Sequence, residues 1–345
     1  MTYLGSVRQL EARSEYTYAV SRLRAMENRK IDTSAMQQMA EAESFESAWK
    51  LFMETCYGYW AAEMGNNSSY DNLLEAELSY TYGELRKFVP DPQLVQLFQI
   101  PYDFHNLKVI LKGMFAQREG GKSRWDLLVS MGSYPADDMI LAVESEDYRL
   151  LPHQLHRIIP SCVMIWEQTK NILEIEQLLD RHMFYIMRMI ANELSYNGVK
   201  EYVRFRIDAE NIRTILRLKR MNADASQISN YLHSGGTYSM ELLAQLYSEP
   251  KESWARELAF GYMGRILDNV EEMDASRILP EIEKRSDGMI SKYLNKYQYD
   301  PFAPEQVLRF LWLKETEVKN LRIILVGKAS GVEKDMIKGL LRHAA

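Results

Sequence analysis

A helix-like segment recurs three times in this 345-residue chain, and that recurrence constrains the fold more than any other feature. It reads YDFHNLKVILK at 102–112, IDAENIRTILR at 207–217 and EVKNLRIILVGK at 317–328. When Asn106, Asn211 and Asn320 are aligned, the copies lie about a third of the chain apart. An acid stands three residues before each Asn (Asp103, Asp208, Glu317) and a cation two residues after it (Lys108, Arg213, Arg322). Aliphatic residues follow at one, four and five positions: Leu107, Ile110 and Leu111; Ile212, Ile215 and Leu216; Leu321, Ile324 and Leu325. Upstream, Leu94, Val199 and Leu308 match, as do Leu97, Tyr202 and Leu311, and Phe98, Val203 and Trp312. Self-similarity at so long a period points to a repeated bundle. It divides the chain into repeats at 1–118, 119–223 and 224–345.

Projected at about 100° per residue, the downstream aliphatics share one face and the upstream apolar residues point almost oppositely. The spacing therefore predicts two helices with a corner between them, the second starting near the acid. There the acid acts as N-cap and favours the helix dipole. Pro101 supports a break in the first copy, and Thr316 offers a second cap in the third. Asn is a poor helix-interior residue, so three copies imply a compensating bond. The expected bond crosses the corner and fixes helix packing; a ligand or partner contact is the alternative. The cations fall on the flank of the buried face, where solvated charge is ordinary and one of them could meet a partner.

The rest of the chain also reads as helix. In EYTYAVSRLRAMENRKI the stripe Tyr16, Val20, Leu23 and Met26 is apolar. Further long candidates are 44–64, 161–194 and 252–273. Alternating β-branched runs with hairpin turns are missing, so the fold class is all-α. Short polar or glycine-bearing loops such as GNNSSYDN, REGGKS, GSYPADD, HSGGT and YDPFAP separate the helices.

Composition narrows the function. Apolar residues make up 46% and charged residues 26%, so core material is ample. A net charge of -6 with no basic block speaks against nucleic-acid binding. Two cysteines, Cys56 and Cys162, lack metal-ligand spacing and fit a reducing compartment. No signal peptide or membrane-length apolar run is visible, so a cytoplasmic protein without direct membrane insertion is expected. GGKS at 120–123 lacks the earlier glycine and the preceding strand of a phosphate loop, and reads as an interdomain turn. His153 and His156 stand at i, i+3 without an acid to complete a metal set, and read as a surface or core pair. His105 is replaced by Glu210 and Lys319 in the other copies. No catalytic constellation, metal site or cofactor motif emerges, which favours a binding or mechanical role.

The opening helix YTYAVSRLRAMENRKI, the three [DE]xxN[LI][KR] segments and the length together resemble the central-stalk subunit of V-type and A-type rotary ATPases. This subunit is called C in bacteria and archaea and d in eukaryotes. The resemblance covers the whole chain and is closer to the bacterial and archaeal members. It implies three similar helical domains around a pseudo-threefold axis, shaped like a funnel. It implies a non-catalytic rotor socket, peripheral to the membrane, that joins the central shaft subunits to the membrane rotor ring during proton or sodium-ion transport. Without the resemblance, the repeats alone suggest a helical scaffold or adaptor. A third reading is an all-α enzyme assembled around His153, His156 or Cys162. The third copy departs from the others in Glu317 and in Val326, where Lys112 and Arg217 stand.

Overall fold

A computed structural model describes residues 3–65, 69–273 and 277–342, with the side chains of 3–14 left out. Part of the GNNSSYDN loop, residues 66–68, lies outside the described residues. Every described regular element is helical, with no strand among the described residues. The chain separates into two compact units, one formed by residues 1–90 with 196–345 and the other by residues 91–195.

The unit at 91–195 contains α6 (Gln93–Arg118), α7 (Ala136–Glu144), α8 (Leu155–Thr169) and α9 (Ile172–Leu194). The N-terminal part of the other unit supplies α1 (Tyr3–Glu27), α2 (Thr33–Glu41), α3 (Phe45–Met53), α4 (Tyr57–Met64) and α5 (Tyr70–Arg86). Its C-terminal part supplies α10 (Asn197–Arg220), α11 (Met240–Ser248), α12 (Lys251–Glu257), α13 (Met263–Ile266), α14 (Ile278–Leu294), α15 (Glu305–Ala329) and α16 (Lys334–Leu340).

One packing pattern occurs three times. The long helix α6 packs on the nine-residue α7 and on α9, α10 packs on the nine-residue α11 and on α14, and α15 packs on the nine-residue α2 and on α5. In the first two cases the partners follow the long helix in sequence. In the third they come from the beginning of the chain, so this bundle is built from both sequence termini. Its core joins Met39, Phe52, Tyr57 and Leu74 to Leu321, Ile324 and Leu325. Burying each such side chain contributes about 1.5–3 kcal/mol.

The predicted corner is absent. α6, α10 and α15 each run unbroken through the motif, and Pro101 sits inside α6 without ending it. A helix of this length extends for nearly 40 Å, at about 1.5 Å per residue. Its two halves can therefore bury opposite faces against different neighbours. In α15 the first half faces α14 and α10. Trp312 Nε1 donates to Ser291 Oγ at 2.9 Å, and the indole meets the Tyr202 ring edge-on with centroids 6.2 Å apart. The second half carries Leu321, Ile324 and Leu325 into the core with α2 and α3. Both apolar sets are buried in all three helices. Thr316 is likewise a buried mid-helix residue and caps nothing.

Three other expected long helices are interrupted. Residues 44–64 divide into α3 and α4, with Ser44 capping α3 by accepting from Ser47 N–H at 3.2 Å. Residues 161–194 divide at Lys170, which adopts a left-handed φ of 55°, and Asn171 then caps α9. Residues 252–273 divide because the Tyr238 hydroxyl enters the helix path. It donates to Leu258 O at 3.0 Å and accepts from Met263 N–H at 3.1 Å. A periodic apolar pattern does not reveal such an insertion. The opening stripe agrees with expectation at Tyr16, Val20 and Leu23, which are buried, while Met26 is half-buried.

Candidate functional site: three buried clamps

Each motif Asn closes a two-way amide pair with a chain segment that crosses its helix. Asn106 Nδ2 donates to Val129 O and its Oδ1 accepts from Val129 N–H, both at 2.9 Å. Asn211 makes the same pair with His233, at 2.8 and 2.7 Å. Asn320 makes it with Arg342, both bonds at 2.8 Å. The partner lies 23, 22 and 22 residues downstream, so the second and third copies share a register and the first differs from them by one residue. A primary amide offers one donor and one acceptor spaced like a peptide group. It therefore satisfies both buried backbone groups of the crossing residue, which would otherwise be costly to leave unpaired.

The acid three residues earlier lies on the same side of the helix, and in the first two copies it holds the next part of the crossing segment. It cannot act as an N-cap, because it stands in mid-helix where neighbouring N–H groups are already bonded. Asp103 Oδ1 accepts from Ser133 N–H at 2.7 Å and Tyr134 N–H at 3.1 Å, and Oδ2 accepts from Ser133 Oγ at 2.5 Å. Asp208 accepts from Thr237 N–H at 2.9 and 3.0 Å on its two oxygens. Glu317 accepts from Ile31 N–H and from the Tyr57 hydroxyl, both at 2.8 Å. In the third bundle the donor thus comes from the N-terminal part of the chain, and the extra methylene of Glu lets one carboxylate reach both groups.

A short sequence signal marks the crossing segments of the first two copies: Gly132-Ser133-Tyr134 and Gly236-Thr237-Tyr238. A Cβ on Gly132 would overlap Asp103 Oδ1, and one on Gly236 would overlap Asp208 Oδ1. Glycine is required there by the closeness of the carboxylate. The middle residue of this G-[ST]-Y triplet lies 30 and 29 residues after the acid, a match inside two loops that extends the repeat beyond its helices.

The cations tie each long helix to a neighbour. Lys108 pairs with Asp180 on α9 at 2.5 Å, Arg213 with Glu283 on α14 at 2.9 Å, and Arg322 with Asp71 on α5 at 2.7 Å. Arg213 also pairs with Glu210 one turn back. All six side chains are part-exposed, so the pairs sit at bundle edges.

Beneath the third clamp lies a denser charge cluster that the repeat does not announce. Lys314 Nζ reaches Glu317 Oε1 at 2.8 Å and Glu77 Oε1 at 3.0 Å. Glu77 also accepts from Trp60 Nε1 at 2.7 Å and meets Arg29 at 3.4 Å. Burial pushes the Lys314 ammonium down, but Glu317 and Glu77 outweigh it and hold the group above its ordinary value. Burial and the neighbouring Glu317 push the Tyr57 phenol well up, so it remains a hydrogen-bond donor.

The residues considered for chemistry do not converge. His153 is buried, with Nε2 2.8 Å from Asp103 Oδ2, whereas His156 is exposed. Ser133, His153 and Asp103 are neighbours, but the same imidazole nitrogen faces both Ser133 and Asp103, so no proton relay runs through the ring. His105 is exposed and hydrogen-bonds Leu127 O at 2.9 Å. Burial pushes the Cys162 thiol up to about 12 and the Cys56 thiol to about 11, which disfavours the nucleophilic thiolate at neutral pH. No group of three His, Cys, Asp or Glu side chains among the described residues could hold a metal ion. GGKS follows α6: Gly121 N–H bonds Ala116 O at 2.8 Å and Gly120 takes φ +80°, a helix termination rather than a phosphate cradle. It lies inside the 91–195 unit, not at an edge between compact units. No described helix is long and apolar enough to cross a membrane.

Comparison with known proteins places these clamps in context. The sequence matches the family model described as "ATP synthase (C/AC39) subunit" over residues 19–340. It is 24% identical to the C subunit of the V-type sodium ATPase from Enterococcus hirae, across 93% of this chain and 96% of that protein. It is 24% identical to the C subunit of the A-type ATP synthase from Methanocaldococcus jannaschii, across 94% and 86%. It is 23% identical to the corresponding A-type ATP synthase protein of Methanococcoides burtonii, across 99% and 98%. Since the family match spans nearly the whole chain, all three clamps included except Arg342 at the far edge of the last, this protein belongs to the ATP synthase (C/AC39) subunit family.

Proposed function

We propose that this chain is a non-catalytic central-stalk subunit of a V/A-type rotary ATPase. It acts as a socket and spacer that passes rotation between the central shaft subunits and the membrane rotor ring, in support of proton or sodium-ion transport. In this reading it rests on the cytoplasmic side, peripheral to the membrane through the ring. The nine motif residues, Asp103, Asn106, Lys108, Asp208, Asn211, Arg213, Glu317, Asn320 and Arg322, act as internal ties, and the partner contacts lie elsewhere.

The observation that carries the proposal is the order of the three ion pairs. The cation of α6 holds α9, which leads into α10; that of α10 holds α14, which leads into α15; that of α15 holds α5, which leads into α6. With sequence repeats at 1–118, 119–223 and 224–345, each tie joins one repeat to the next, as expected of three similar domains set about a pseudo-threefold axis in a funnel-like form. This order also suits a part that carries torque, because densely packed interiors resist shear. Relatives that match over nearly their full length and are named as the C subunits of V-type and A-type complexes support the same reading.

Cross-linking mass spectrometry on the assembled ATPase tests it. Links from this chain to both shaft and ring subunits are expected. Recovery of the chain without either set of links would leave the helical-adaptor reading in its place. A polar socket further predicts that affinity for the shaft falls as ionic strength rises; a flat salt series would refute a charged interface.

A further inference from the structure

The three clamps share a geometry but not a charge environment, and the difference singles out Asp208. Asp103 has the His153 imidazole at 2.8 Å, and Glu317 has the Lys314 ammonium at the same distance. Asp208 is buried like the others, 2% exposed, yet no Lys, Arg or His among the described residues forms an ion pair with it. Its support comes from Thr237 and from the Tyr238 N–H.

The surrounding titratable groups do not supply the missing charge. Glu201, on the same helix, is an acid and works against ionisation. The Tyr238 phenol faces Asp208 from the crossing segment but is neutral and bonded to Leu258 and Met263. His233, earlier in that segment, is buried with its backbone held by Asn211. On α14, Glu281 pairs with Arg285, Glu283 with Arg213 and Asp287 with Lys319. Glu241 on α11 is exposed.

We infer that the Asp208–Thr237 clamp is proton-linked, taking up a proton on mild acidification and tightening. A buried carboxylate without a cation is penalised by desolvation. Burial pushes the Asp208 carboxyl up to about 6, against the opposing hydrogen bonds from Thr237 and Tyr238. The folded value lies above the ordinary 3.8, so the closed clamp holds a proton that the open clamp releases. The stability from this group is fully present below the ordinary value and is lost as pH rises through about 6. In the protonated acid the carbonyl oxygen still accepts from Thr237 N–H, and the new O–H can donate to the Thr237 hydroxyl.

Hydrogen exchange on the full chain, corrected for the intrinsic pH dependence of exchange, tests the inference. Protection of residues 233–238 is expected to rise about tenfold or more between about pH 7.5 and about pH 5. Asp208→Asn, neutral at every pH, is expected to hold high protection without the pH dependence. A level profile at 233–238 in the unaltered chain would overturn the inference. So would a slope that survives in Asp208→Asn, since His233 would then be the titrating group. If that variant does not fold, carboxyl carbon NMR of the unaltered chain decides: a midpoint near 6 supports the linkage, and one at or below about 4 overturns it.

Discussion

The motif Asn is a tertiary connector built from one side chain. Its amide satisfies a donor and an acceptor on the crossing segment, so truncation leaves both buried groups unpaired. Asn106→Ala, Asn211→Ala and Asn320→Ala are each expected to lower unfolding stability by about 2–4 kcal/mol, measured by urea denaturation. Gly236→Ala is expected to cost about 1–3 kcal/mol because its Cβ overlaps the Asp208 carboxylate. Gly288→Ala, where a Cβ meets nothing within 4 Å, should leave the midpoint level or raise it. Asn, acid and cation are all legible as recurring positions in the sequence. The Asn partners are not, because a hydrogen bond to a backbone group leaves no residue type at the other end to recognise; the carboxylates that meet the cations lie 72, 70 and 251 positions away, without a motif of their own. Only Gly132 and Gly236 carry such a trace, since a carboxylate presses on the site where their side chains would stand.

Among the helices, the edge ion pairs and the buried cluster should differ sharply. Arg322 and Asp71 are 42% and 44% exposed, so a double-mutant cycle on them is expected to give below about 1 kcal/mol. Lys314 has only 6% of its side chain exposed and stands between two carboxylates. Lys314→Met is expected to cost about 3–5 kcal/mol by stranding Glu77 and Glu317. Adding Glu77→Gln should recover part of that loss in thermal melts, because the cost comes from the stranded charges. The apolar period correctly indicates helix along the chain but misplaces the breaks. The long motif helices continue where opposed apolar stripes imply a corner, since each half has its own neighbours. Residues 252–273 break where continuity is expected, since the Tyr238 hydroxyl takes a backbone acceptor and a backbone donor from the helix path.

For the whole molecule, the third bundle sets the requirement for folding. Glu317 takes its backbone donor from Ile31, and Arg322 takes its partner from Asp71. A fragment of residues 305–345, which carries α15 and α16 without their N-terminal partners, is therefore expected to lack a cooperative melt, and to gain one when residues 1–90 are added in trans. The compact 91–195 unit holds both ends of its own clamp and ion pair, and is expected to melt cooperatively alone. Circular dichroism melts of the three fragments check this. A cooperative transition in 305–345 alone would show that the N-terminal helices decorate the bundle without completing it.

Helical character, the threefold recurrence of one motif and membership of the ATP synthase (C/AC39) subunit family are all present in the order of residues along the chain. Each follows from local periodicity or from residue identity at matched positions. Which segments the motif grips, why the Asp208 clamp lacks a counter-charge, and how the two termini share a bundle emerge only once the chain is packed. These depend on contacts between residues as far as 297 positions apart, such as Glu41 with Lys338, or Ile31 with Glu317 at a separation of 286. Separation along the chain carries no information about such pairs until packing brings their backbones within hydrogen-bonding distance.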